Sequence, residues 1–251
     1  MSGGRHWIFL RGLARHSVHW GPFVDEFRKT FPQDQIELLD LRGNGRLAHS
    51  PSYTSIQENV RDLRSRSQFL RQDHDVFLLT ISMGSMLAVE WAQNFPDEIA
   101  GLVAINTSDK GSSPFFERMR PVNYQSLLRL LALPPSPLER EKEILRITTN
   151  QLSDAETWAE KFAQSPPTTR LNWIRQLTAA GRYRFPENKP KTEILLLCSD
   201  KDRLVSSNCT REIAEMWSLK AHCHPNAGHD LPLEEPHWVC KEISNWLQLQ
   251  S

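Results

Sequence analysis

The chain has 251 residues, 39% hydrophobic and 24% charged, a composition that argues against disorder and a length that suits one α/β core carrying an insertion. Its 30 Lys or Arg balance 30 Asp or Glu, for a formal net charge of zero; without a basic surplus to neutralise phosphates, nucleic acid is not expected as a partner. No apolar run approaches a bilayer-spanning length, and no basic leader with a cleavage site precedes the first strand-like run, so no membrane span is expected and the cytoplasm is the expected compartment.

Trp7-Ile8-Phe9-Leu10 predicts a buried strand. Val18–Phe31 predicts a helix or helical turn stopped before Pro32, and Ile36–Asp40 a second strand. Over 55–71, Ile56, Val60, Leu63 and Phe69-Leu70 recur at helical spacing. Val76–Ile81 is a continuous apolar strand of the kind covered on both faces, Met83–Asn94 a helix ended by Phe95-Pro96, and Leu102–Ile105 the next strand. This alternation predicts a parallel sheet with helices on both faces. Residues 111–192 interrupt it: they hold nine of the 16 prolines and no clear strand. About four helices are expected there, with capping boxes at Ser136-Pro137-Leu138-Glu139 and Ser153-Asp154-Ala155-Glu156. The rhythm then resumes with a strand at Ile194–Cys198, a helix at Ser207–Trp217, a strand at Ala221–His224 and a closing helix at Pro236–Leu249. The chain thus divides into a first core part (1–110), a helical insertion (111–192) and a second core part (193–251). In a cytoplasmic protein Cys198, Cys209, Cys223 and Cys240 are expected to be free thiols.

The chemistry concentrates where strands end. Thr80-Ile81-Ser82-Met83-Gly84 follows a buried strand and opens a helix. Such a turn pushes the Ser82 hydroxyl above the sheet, and the unpaired amides of the helix N-terminus favour negative charge, so the Met83 amide can hold an oxyanion. A serine needs a base, and the base an orienting carboxylate. His229, in Asn226-Ala227-Gly228-His229-Asp230, and Asp202, in the loop after Cys198-Ser199, follow the last two strands and so share the Ser82 edge. Gly12 lets the first strand turn sharply, which makes the Leu13 amide the second candidate oxyanion donor. Ser85 is a rival serine expected to pack under the helix, Asp200 a solvated loop acid, and Asp109 a reserve acid. His222-Cys223-His224 alternate on a strand as metal ligands can, but no carboxylate or cysteine pair completes a ligand spacing, so no metal and no cofactor are expected. Met83, Met86, Trp158 and Trp173 are candidate pocket residues.

Together these residues resemble the α/β-hydrolases over nearly the whole chain. Ser82, Asp202 and His229 stand in that family's order of nucleophile, acid and base. Asp40-Leu41-Arg42-Gly43-Asn44-Gly45-Arg46 resembles the family's D-x-x-G-x-G-x loop, and Phe95-Pro96-Asp97-Glu98-Ile99 its exit from the nucleophile helix. The resemblance implies a six-stranded, mostly parallel core, a helical lid at 111–192, Trp20 in the pocket wall beside Leu13 and Met83, and hydrolysis of a small-molecule carboxylic ester with a small to medium acyl chain. Three residues depart from the pattern: Thr80 and Ser85 replace glycines, and Arg11 replaces a histidine and brings a charge that needs a partner if buried. The lid carries 13 Lys or Arg and eight Asp or Glu. In this it resembles the pimeloyl-carrier-protein methyl ester esterases, which would give Arg118, Arg140, Arg146, Arg170 and Arg175 the role of docking an acidic carrier protein. The same triad would also serve C–C or amide cleavage or acyl transfer, and a silent relative would only bind a ligand.

Overall fold

A computed structural model describes residues 4–71, 76–132 and 136–250; Pro134 and Pro135, two of the prolines expected to cut the insertion, lie outside them. The strands are β1 (His6–Leu10), β2 (Gln35–Leu39), β3 (Val76–Ile81), β4 (Ile99–Ile105), β5 (Glu193–Ser199) and β6 (Ala221–His224), in the order β2-β1-β3-β4-β5-β6 with every pair parallel. The helices of the core are α1 (Phe23–Thr30), α2 (Ile56–Arg66) and α3 (Met83–Asn94). Between β4 and β5 stand α4 (Phe115–Arg118), α5 (Tyr124–Ala132), α6 (Pro137–Thr148), α7 (Ala155–Ala163) and α8 (Arg170–Arg182). The chain closes with α9 (Ser207–Met216), α10 (Leu231–Glu234) and α11 (Pro236–Gln248).

Side chains alternate across each strand, so the unbroken apolar runs feed two cores. Ile8, Leu10, Leu78, Leu102 and Leu196 pack with Ile56 and Leu63 of α2, Leu87 and Trp91 of α3 and Ile213 of α9. Trp7, Phe9, Leu79, Val103 and Leu197 face the other way, onto Phe23 and Phe27 of α1 and Val239 and Ile243 of α11. Burial on both faces is what a parallel sheet requires. Because all six strands run the same way, the loops after β1, β3, β4, β5 and β6 gather at one edge.

Several expectations are corrected. The helical pattern over Val18–Phe31 is two pieces, a 3-10 turn at Ser17–Trp20 and then α1, because Gly21 takes a left-handed φ of 55° and Pro22 restarts the helix. The Ser136 capping box does form: the Ser136 hydroxyl accepts the Glu139 amide and the Glu139 carboxylate accepts the Ser136 amide. The Ser153 box does not. Asp154 precedes α7 in a left-handed conformation (φ 54°) and no side chain caps that helix. Cys198 and Cys223 are register partners on β5 and β6 and form a disulfide, so only Cys209 and Cys240 are free. The expectation of four free thiols came from compartment alone; strand register brings two of them face to face.

Candidate active site

Ser82 links β3 to α3 with φ 57° and ψ −123°, a strained conformation for a residue with a side chain. Its amide donates to the Ile105 carbonyl at 2.8 Å, which ties the turn to β4. The helix starts close against β1: a Cβ at Gly84 would stand 2.4 Å from the Leu10 carbonyl oxygen and 2.9 Å from that of Arg11. Gly84→Ala is therefore expected to displace α3 and to destabilise the fold by about 1–3 kcal/mol, read as a lowered midpoint in urea unfolding. A Cβ at Gly12 would lie 3.0 Å from the Ser82 Cβ, so the loop after β1 rests directly on the serine. Leu13 follows there, and its amide has no acceptor among the described residues.

Two of the family departures explain each other. Thr80 and Ser85 are both fully buried. The Thr80 hydroxyl donates to the Val103 carbonyl at 2.9 Å and lies 3.0 Å from Ser85 Oγ, whose own proton can close that contact. Two hydroxyls fill the space under the turn and satisfy one another, so neither is a buried polar group without a partner.

His229 follows β6 and Asp202 follows β5, and the two meet: His229 Nδ1 is 2.7 Å from Asp202 Oδ2. Both are buried. An ionised carboxylate only accepts, so Nδ1 carries the proton and Nε2 is left to take one. The other oxygen of Asp202 accepts from the amides of Leu204 (2.7 Å) and Val205 (2.9 Å), which hold the carboxylate in place. Ser82 and His229 line one cavity of about 360 Å³ with Leu13 and Met83. No hydrogen bond joins Ser82 Oγ to His229 among the described residues; in unliganded sites such bonds are often long.

Arg11 has the partner its charge demands. Its two terminal nitrogens donate to both carboxylate oxygens of Asp230, at 2.9 and 2.6 Å, and its guanidinium lies 4.9 Å from the centre of the Trp20 ring. Asp230 is wholly buried; burial pushes its carboxyl up, but Arg11 outweighs this and holds it below the ordinary carboxylate range. Trp20, expected in the pocket wall, instead sits in the core beside Phe9 and Phe23. Met83, Met86 and Trp173 line the cavity, while Trp158 packs on Phe162.

Buried polar contacts fasten the helical insertion to the core. Arg15, after β1, pairs with Glu141 of α6, and His19 Nε2 lies 3.7 Å from that carboxylate. Gln176 of α8 accepts the Ala14 amide at 2.8 Å and donates to Asn44 and Ser52, and Asn172 accepts the Ser52 amide. Asn106, left-handed at φ 46°, donates to the His229 carbonyl at 2.8 Å and accepts the Ser199 amide at 2.8 Å. Sequence reasoning missed Asp230, Asn106, Asn44, Glu141, Asn172 and Gln176. Asn172 and Gln176 carried a readable signal, since two amides one turn apart on a helix can face a polar partner.

The remaining candidates have structural partners. Asp109 accepts the amides of Gly111, Ser112 and Phe185. Asp200 pairs with Arg211 near the surface. His222 bonds Glu242 at 2.6 Å, His224 receives the Ala227 amide, and no metal-holding group of three occurs among the described residues. Of the five insertion arginines, Arg118 lines the cavity, Arg140 turns to the Thr168 carbonyl, and Arg146 pairs with Glu143. Arg170 is exposed, and Arg175 lies 3.5 Å from Asn172 Oδ1. Among the described residues no helix is long and apolar enough to cross a membrane.

With this geometry in view, comparison with known proteins gives one decisive match. The model of the alpha/beta hydrolase family covers residues 7–242. The chain belongs to the alpha/beta hydrolase family. It is 22% identical over 247 residues to the biotin biosynthesis bifunctional protein BioHC of Cellvibrio japonicus, a match that covers 96% of this chain. The chain spans about half the length of that relative, 47% of it. Solved structures share the fold. A thermophilic esterase from Thermogutta terrifontis superposes with a TM-score of 0.73 at 19% identity, covering 98% of this chain and 90% of that one. The 2-hydroxy-6-oxo-6-phenylhexa-2,4-dienoate hydrolase of a Rhodococcus species does so with a TM-score of 0.75 at 15% identity, covering 98% and 91%.

Proposed function

We propose that this member of the family is a serine hydrolase of carboxylic esters, with Ser82 as nucleophile, His229 as base and Asp202 as the acid that orients it. The observation that carries this reading is the 2.7 Å contact between His229 Nδ1 and Asp202, made by a histidine that lines the same cavity as Ser82 on its strained turn. His229 Nε2 takes the Ser82 proton as Oγ attacks the ester carbonyl. The Leu13 and Met83 amides hold the oxyanion, and two such donors lower the barrier by several kcal/mol, on the order of 3 kcal/mol each. The imidazolium then protonates the departing alcohol. Water, deprotonated by His229, attacks the acyl-enzyme and releases the acid. The insertion acts as the lid: it supplies Met119, Ile147 and Trp173 to the cavity wall, which favours an apolar acyl chain.

Ser82→Ala is expected to lower ester turnover by about 10⁴-fold or more and to abolish labelling by a fluorophosphonate probe. Full turnover in that variant, or a wild-type protein left unlabelled, sinks the proposal. A second reading, in which the ester arrives on an acidic carrier protein, draws support from the likeness to the biotin biosynthesis protein and from the exposed Arg146 and Arg170 on the lid. It requires activity on carrier-bound ester to exceed that on free ester and to fall steeply with salt.

A further inference from the structure

Three arginines line the cavity shared by Ser82 and His229: Arg11, Arg15 and Arg118. Asp230 neutralises Arg11, and Glu141 neutralises Arg15. Arg118, at the end of α4, has no carboxylate within ion-pair distance among the described residues. One terminal nitrogen donates to the Ala180 carbonyl at 3.2 Å, and Nε is buried with no hydrogen-bond partner. Nη1 has no protein acceptor among the described residues. Asp109 acts on this guanidinium through space, but its carboxylate already accepts three amides and the Ser112 hydroxyl. Burial, the largest influence, pulls the Arg118 guanidinium below its usual range, and the attraction of Asp109 offsets this only in part.

Position gives this charge a use. The cavity wall also holds apolar residues, among them Leu127, Leu130 and Leu131 from α5. The cavity reaches solvent on the Arg118 side: Phe115, on the same short helix, lines it while remaining 61% exposed. A Cβ at Gly181, another lining residue, would meet nothing within 4 Å. Ser82 and Arg118 line the same cavity, so a ligand that spans it from one to the other has its reacting carbonyl at Ser82 and its far end at Arg118. A lone guanidinium with one free nitrogen suits a monoanion, and carboxylate is the planar acceptor that guanidinium matches; a phosphate dianion would call for a second cation.

We propose that Arg118 anchors a carboxylate at the far end of the substrate, so that the cavity selects esters whose other terminus is a free acid, the monoesters of α,ω-dicarboxylic acids. This rests on the ester-hydrolase reading above and sharpens it. It also gives Arg118 an inward role, distinct from an outward docking surface for a carrier protein.

The test compares kcat/KM for monomethyl adipate with that for methyl hexanoate, which match in chain length and differ in the terminal carboxylate. Wild type is expected to prefer the acid-terminated ester by about tenfold or more, the discrimination that a charge-assisted hydrogen bond supplies. The ratio is expected to fall about tenfold in Arg118→Met, to be partly kept in Arg118→Lys, and to shrink with added salt. A wild-type ratio near one, or a preference undiminished in Arg118→Met, overturns the proposal. Should the methionine variant not fold, inhibition answers the same question on wild type: free adipate must compete with methyl hexanoate better than hexanoate does, and equal inhibition overturns the anchor. Failure of the underlying reading looks different, since neither ester would then turn over and Ser82 would resist fluorophosphonate.

Discussion

Asp230→Asn and Arg11→Met are each expected to lower stability by about 3–5 kcal/mol. The two side chains form a bidentate ion pair with both partners nearly inaccessible to solvent. Removing one member of such a pair strands the other charge, at about 3–5 kcal/mol. Asp230 directly follows His229, and Arg11 directly precedes the loop that rests on Ser82. Urea unfolding of each variant at pH 7, beside wild type, reads the loss. A loss under about 1 kcal/mol in both variants would mean that the pair contributes little to stability. The pair also bridges the loop after β1 and the loop after β6, the two segments that carry the proposed oxyanion donor Leu13 and the proposed base His229.

Stability is expected to fall as pH drops from about 6.5 toward 4, through the cluster that joins the helices between β4 and β5 to the core. Burial pushes His16 from 6.5 down to about 4, and Arg15 adds to the effect. Burial likewise pushes His19 down to about 3. A histidine whose folded value is depressed binds its proton more readily in the unfolded chain. Each proton taken up below pH 6.5 therefore favours unfolding, and the loss saturates once the folded value is passed. Glu141 acts in the same direction at lower pH. Burial raises its carboxyl, but Arg15 and His19 outweigh that and hold it below the ordinary carboxylate range, so its contribution is present above about 4.5 and lost as pH falls further. The combined effect is on the order of a few kcal/mol. Urea unfolding at pH 7, 5.5 and 4.5 reads it, and His16→Gln should flatten the slope between pH 6.5 and 4. An unchanged slope in that variant would place the acid sensitivity elsewhere.

Much of the fold was legible because its signals are local. Strands such as Trp7–Leu10 and Val76–Ile81 are continuous apolar runs, and a run buried on both faces belongs to a parallel sheet whatever its neighbours. The helix after Ser82 and its stop at Phe95-Pro96 follow from short-range sterics. Errors arose where local rules met competing context. Gly21-Pro22 split one apolar pattern into a 3-10 turn and α1. A serine in capping register at 153 went unused because the chain enters α7 through a left-handed Asp154.

The sequence by itself determined the strand–helix alternation, the turn at Ser82 and the loop positions of Asp202 and His229, because each depends on residues within a few positions of one another. Tertiary structure alone decided what those groups touch. It joined His229 to Asp202 across 27 residues and gave Arg11 its counter-charge 219 residues away. It moved Trp20 from the expected pocket wall into the core, paired Thr80 with Ser85, and left Arg118 as the cavity arginine with no carboxylate within ion-pair distance among the described residues. Partners of this kind are chosen by sheet order and helix packing, and charge pairing acts at distances that no sequence interval encodes.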